Sequence, residues 1–479
     1  MTRDQERQVV ELADTYMAGR MSRRAFIARM LALGLTVSAA GSILAACTTA
    51  ATTAPTTAAT TAPTGAPSGA PSGAPSAAAA TVDTSISGKV RYLLGPQTDR
   101  EEEYQQVIIE AFNKVYPNIE VTLKLYDWGT AQATIQTSAE SGAHDVYLTD
   151  EGTYSKLTLR EDLFADISKY VDDPSYASEK AHFLDWQRVV GLGPRVCGLP
   201  HDINFESAMW VNLALLEKAG YDAEGLVKSR DSFRDAIIKM TNAPDVYGLA
   251  YNTQPFTETY NNLILNSGTD ILTEDLKAVA FETPDVVAST QWWVDLLQKD
   301  KAVVPLGTYD YSTVIDAFAA QKVAIFASDT TVAANLKARQ LPFDWVYLPW
   351  PGGKARRAYN DLGLNTMGAK TPTPDAAWAM MSFWASGPSN AYFNDQASLY
   401  PVRDDAVASG WGEMVPKQVV DVLDLMMEAG ASHQVFEEWG DCEAALTSEF
   451  GRAMAGEITA EESVKSAAAE VNKIAFGQS

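Results

Sequence analysis

The side chains of this 479-residue chain that could do chemistry are carboxylates, carboxamides and indoles rather than nucleophiles or metal ligands. Four histidines (His144, His182, His201, His433) are scattered without metal-ligand spacing, and the three cysteines form no Cys-x-x-Cys pair. His-Glu-x-x-His and Gly-x-Ser-x-Gly are absent. Gly352-Gly353-Lys354-Ala355 lacks both the upstream glycine and the hydroxyl after lysine that a phosphate loop needs. No cofactor, metal or catalytic residue is therefore expected. A glycoside hydrolase needs only two carboxylates about 5–9 Å apart, and 61 acidic residues leave room for such a pair, so an exported hydrolase stays as the enzymatic alternative. Binding is better equipped. Eleven tryptophans, all beyond residue 127, offer faces to the C–H surfaces of a sugar, and acidic and amide side chains offer partners to its hydroxyls.

These groups need elements to place them. Lys89–Leu94 reads as a strand, and Asp99 is positioned to cap the helix after it, in which Tyr104, Val107, Ile108, Ala111, Phe112 and Val115 recur at helical spacing. Pro117-Asn118 ends that helix. Ile119, Val121, Leu123 and Leu125 alternate with polar residues as a half-buried strand, a helix is predicted over 130–141, and 144–148 reads as a third strand. The alternation implies an α/β fold with a parallel sheet, in which ligands gather at the carboxyl ends of the strands. Those ends are 95–99, 126–128 and 149–153, which makes Trp128, Asp150 and Glu151 candidates for ligand contact. Trp292, Trp378 and Trp384 lie within helical patterns and are expected in the core, while Thr459-x-x-Glu462 is a capping box opening a last helix. No linker interrupts the chain after residue 88. About 390 residues exceed one simple core, so two lobes that exchange chain segments are expected.

The first 87 residues read differently. Arg23-Arg24 precedes seventeen uncharged residues, 30–46, too short and too rich in small residues for a spanning helix, so 1–46 is expected to be an export signal. It resembles a twin-arginine signal, with Ala28 where lysine is common, and Leu44-Ala45-Ala46-Cys47 resembles a bacterial lipobox, whose cysteine carries lipid. Residues 48–82 are Thr, Ala, Pro, Gly, Ser and one Val. Such a segment cannot bury enough apolar surface to offset ordering. As a linker (47–87 with its ends) it reaches about 33 Å as a coil or roughly 100 Å if extended. Charge is −24, from 37 basic and 61 acidic residues, and removing 1–46 deepens it; nucleic-acid binding is excluded as a function class. Lipid at Cys47 would hold the protein at the outer face of the cytoplasmic membrane. The other two cysteines, Cys197 and Cys442, read equally as a pair or as two buried thiols.

Ala111-Phe112-Asn113 with Tyr116-Pro117-Asn118-Ile119-Glu120-Val121 resembles the first helix and second strand of the extracellular solute-binding proteins of ABC importers, the group that includes maltose-binding protein. Asp145–Asp150, Gly198-Leu199-Pro200 through Trp210-Val211-Asn212, Leu216–Gly220, Lys322–Phe326, Leu348-Pro349 with Gly352-Gly353, Ala376-Ala377-Trp378, Tyr400–Arg403 and Glu470–Ile474 continue the likeness in order over 88–479. Two places depart from it. Ser328-Asp329-Thr330-Thr331 stands where the family often has a Gly-Pro-Trp-like turn, and Gln97 and Asp99 occupy a variable first loop. The resemblance implies a two-lobed, periplasmic-binding-protein-like fold: lobe 1 from 88–203 and 360–403, lobe 2 from 204–359 and 404–479, with hinge crossovers. It adds Asn204, Phe205, Asp329, Asp361 and Trp439 to the expected ligand set. It implies a monomeric receptor that delivers a mono- or oligosaccharide to an ABC permease. The alternative ligand is a polyamine or other cation, favoured by an aromatic box with several carboxylates and no bidentate arginine.

Overall fold

A computed structural model of the chain describes residues 83–205, 208–250, 259–355, 357–413, 415–428, 430–431, 434, 436 and 438–477. The expected export signal, Cys47 and most of the linker lie outside the described residues. The first strand, β1 (Gly88–Leu94), is followed by α1 (Glu101–Val115), β2 (Ile119–Leu125), α2 (Ala131–Ser141), β3 (Val146–Thr149), α3 (Glu151–Thr158) and the short α4 (Trp186–Gly191). Both β2 and β3 run parallel to β1, with Tyr92 opposite Leu123 on one side and Val146 on the other. One expectation fails: Asp99 does not cap α1. The helix begins after Arg100, and Thr98 accepts instead, through Oγ1 from the Arg100 N–H (3.2 Å) and through its carbonyl from the Glu101 N–H (3.2 Å). The chain turns one residue earlier than the charge pattern suggested, which leaves Asp99 exposed.

The rest of the chain weaves between two sheets. Strand β4 (Gly198–Phe205) leads into β5 (Ala208–Asn212), β6 (Tyr247–Ala250), β7 (Val323–Ser328) and β8 (Trp345–Pro349), then returns as β9 (Ala358–Met367); a two-residue β10 (Gly430–Ala431) pairs with the start of β9. The first sheet has the order β10-β9-β3-β1-β2 with β4 on β9, and the second has the order β6-β7-β5-β8. The passages out and back lie side by side: β4 and β9 are antiparallel, with Asn204 opposite Asp361 and Phe205 opposite Asn360. A third passage starts beside them, where Tyr400 bridges Ile203.

Further helices cover the sheets: α5 (Arg230–Met240), α6 (Pro284–Gln298), α7 (Val332–Arg339), α8 (Pro374–Trp384), α9 (Gly387–Ala397), α10 (Lys417–Glu428), α11 (Trp439–Ala455) and α12 (Ala460–Phe476). Period-2 alternation decides which core each β5 residue enters. Trp210 turns to one face with Tyr347 (ring centroids 4.3 Å), whereas Met209 and Val211 join the core of Phe233, Trp293 and Trp350 on the other. Trp384 is core, as expected, and its Nε1 donates to Gln105 Oε1 at 2.7 Å. Trp292 and Trp378 are only half-buried; Trp378 lies flat on Tyr170 with centroids 4.9 Å apart. Both helices place them at a boundary with solvent that spacing alone could not distinguish from the core. The capping box of Thr459 and Glu462 is present. Cys197 and Cys442 are free and buried, and burial pushes each thiol up to about 12. Among the described residues no helix is long and apolar enough to cross a membrane.

Candidate ligand-binding site

The first group of polar side chains forms where β3 ends. Asp150 is the N-cap of α3: its Oδ1 accepts from the Thr153 N–H at 2.7 Å, and the residue stays half-buried. Glu151 follows it into the helix but turns inward, 1% exposed. Both its oxygens are taken by Arg188, at 2.8 Å from Nε and 2.5 Å from Nη2. Burial pushes the Glu151 carboxyl up while the arginine opposes that shift. Arg188 also donates to Asn360, at 2.6 Å to Oδ1 and 3.0 Å to the carbonyl. The Glu151 N–H points to Asp361 Oδ1 at 3.4 Å, so the expected residues Asp150, Glu151 and Asp361 do come together, with Asn204 beside Asp361 in register.

The second sheet contributes the loop after β7. Asp329 folds it: Oδ1 accepts from the Thr331 N–H at 2.8 Å, and the Asp329 carbonyl accepts from Trp210 Nε1 at 3.1 Å. Thr330 then donates to Asn204 Oδ1 at 3.1 Å, joining this loop to the first crossover strand. Phe205, one residue further, is wholly buried and packs edge-on against Tyr400, so it belongs to the core beneath the crossover.

Aromatic side chains stand at the end of β2 and at the start of α11. Trp128 stands at the end of β2, half-buried, with Nε1 donating to the Pro96 carbonyl at 2.9 Å and its ring edge-on to Tyr126 at 5.1 Å. A Cβ on Gly95 would lie 2.4 Å from that indole, so glycine is what lets the ring lie across the end of β1. Trp439, at the start of α11 and 6% exposed, is packed edge-on against Tyr260 (5.6 Å) and Phe436 (5.7 Å); Tyr260 in turn meets Tyr359 of β9 (5.6 Å). The indole reaches α3: a Cβ on Gly152 would be 3.6 Å from Trp439 Cδ1 and 3.3 Å from Asp150 Oδ1. One turn along α11 is Glu443, half-buried, whose carboxyl burial pushes up to about 7, with the charge of Asp150 adding to the shift.

Tyr260, Tyr359, Phe436, Glu443, Arg188 and Asn360 were not anticipated from sequence. Glu443 could have been found, since it lies four residues after Trp439 and so shares its helical face. Arg188 sits in a six-residue helix with no periodicity to read. Chemically, the ensemble offers acceptors and donors for hydroxyls and aromatic faces for C–H surfaces.

Residues 95–390 match the family described as bacterial extracellular solute-binding protein. No curated protein sequence matches the chain. Among solved structures it is similar to an ABC substrate-binding protein from Listeria monocytogenes in complex with cycloalternan, at 17% identity and a TM-score of 0.71, over 81% of this chain and 98% of that one. It is similar to a solute-binding protein from Thermotoga lettingae bound with α-D-tagatose, at 19% identity and 0.72, over 81% and 100%. The GacH receptor of Streptomyces glaucescens, solved unliganded and with acarbose, gives 19% and 0.71, over 82% and 100%. At these identities the likeness is one of fold, a two-lobed α/β architecture.

Proposed function

The chain belongs to the bacterial extracellular solute-binding proteins, and from that premise we infer that it is a receptor capturing a mono- or oligosaccharide between its lobes for an ABC permease. The observation that carries this reading is the convergence of half-buried polar groups on paired crossover strands and the loop after β7, with the ring of Trp439 packed against the start of α3 beside Asp150. In this reading Asp150 and Asp361 bind ligand hydroxyls from the first lobe, Asn204 from the crossover strand and Asp329 from the second lobe. Trp128 stacks on a sugar face, while the buried Trp439 backs the loop of Asp150 from α11. Glu151 and Phe205 act from beneath, the first by holding α3 against β9 and the second by packing the crossover. Sugar ligands in the similar structures from L. monocytogenes and T. lettingae support the ligand class. A contact made on both lobes shifts the open–closed equilibrium by its differential affinity, which is how a permease would tell loaded from empty receptor. The protein works as a monomer without chemistry on its ligand, tethered through lipid at Cys47 and a leash.

The cationic alternative keeps one supporting observation: Asp150 and Glu443 bring two carboxylates together beside aromatic rings. A thermal-shift panel of maltose, maltotriose, D-tagatose, acarbose, putrescine and spermidine separates the two. At a hundred times Kd a ligand adds about 2.7 kcal/mol, a clear shift in melting temperature. Stabilisation by sugars supports the reading; stabilisation by the polyamines alone replaces it.

A further inference from the structure

One guanidinium holds three pieces of the site at once. Arg188 lies on α4, where its own N–H is capped by Asp185 Oδ1 at 3.1 Å. Through Glu151 it grips the first residue of α3, immediately after Asp150. Through the side chain and carbonyl of Asn360 it grips β9 at the position opposite Phe205, where the chain passes between the sheets. The Glu151 N–H closes the circuit on Asp361, opposite Asn204. Glu151 and Asn360 are 1% and 6% exposed, so water cannot substitute for these contacts.

Stability alone does not account for such a group. A buried ion pair roughly breaks even against a well-packed apolar one, because desolvation offsets the attraction. What a planar fork supplies is geometry: parallel donors fix two partners in one plane, which a lysine ammonium cannot reproduce. Here the partners are the loop that carries Asp150 and the strand about which the lobes must rotate.

We propose that Arg188 is a positioning residue that couples the ligand loop to the hinge, so that a sugar engaging Asp150 is felt by β9 and drives closure. The inference rests on the site proposed above and names the residue that makes its two halves act together. Without the fork, α3 and β9 are free to settle independently, and contact at Asp150 no longer biases the crossover.

The single variant Arg188→Met would strand a buried carboxylate and lose stability for that reason alone. The informative protein is therefore the charge-balanced R188M/E151Q, with R188K as a second variant that keeps the charge but not the fork. Binding is measured by calorimetry with maltotriose, or with the panel sugar that stabilises the parent most, and closure by scattering at saturation. Both variants are expected to melt within a few degrees of the parent while binding about tenfold more weakly, as for a typical coupling free energy, with a reduced change in radius of gyration. A folded variant of either kind that binds and closes like the parent would overturn the inference and leave Arg188 a purely structural residue. A parent that binds no sugar of the panel removes the receptor reading and this inference together.

Discussion

Glu101 is a carboxylate where the helical pattern of α1 leaves no reason to expect burial, yet it is 1% exposed. It accepts from Gln105 Nε2 at 2.9 Å and from the Gln97 N–H at 3.1 Å, and Gln105 in turn accepts from Trp384. Burial, with Asp202 adding, pushes its carboxyl from 4.5 to about 7, against the two hydrogen bonds and His201. The folded chain therefore favours the protonated form. The stability this group contributes is full below about 4.5 and is lost as pH rises through about 7. Glu101→Gln should melt above the parent at pH 8, by up to about 3 kcal/mol, and the two should converge near pH 4. Parallel melting curves across that range would show Glu101 ionised throughout. Sequence reading missed this residue because periodicity reports apolar faces and is silent on a polar group that finds partners inside one. The same blindness hid Arg188, whereas Asp150 was visible because it follows a strand whose end was easy to locate.

At the scale of elements, β1, β2, β3 and α1 were legible because their apolar residues repeat at two or at 3.6 and proline or glycine marks their ends. Cap chemistry was legible at Thr459, where the box is complete, and not at Asp99, where Thr98 competes through a shorter turn. The pairing of β4 with β9 was out of reach: it joins segments about 160 residues apart in sequence, and no local pattern records such a register. Asp150 has two roles at this scale, cap of α3 and proposed ligand contact, and one substitution separates them. Asparagine caps as well as aspartate, so Asp150→Asn should leave the melting temperature within about a degree. It should weaken sugar binding about tenfold, the scale of a hydrogen bond to a charged group. Unchanged affinity by calorimetry would confine Asp150 to capping.

At the scale of the whole molecule, the sequence likeness and the fold agree on a two-lobed receptor, and the proposed tether explains why a charge-free segment of thirty-five residues precedes it. Cys47→Ser should release the protein from the membrane fraction into the soluble one. A variant that fractionates like the parent would rule out lipid as the anchor. The central claim, however, is capture between lobes joined by three passages of chain, each able to absorb a small backbone rotation. Small-angle scattering of the parent with and without a saturating sugar from the panel tests it most directly. Closure predicts a smaller radius of gyration and a shift of inter-lobe distances to shorter values when sugar is bound. A saturated protein whose scattering superimposes on that of the free form would contradict the account and point to a rigid binding module.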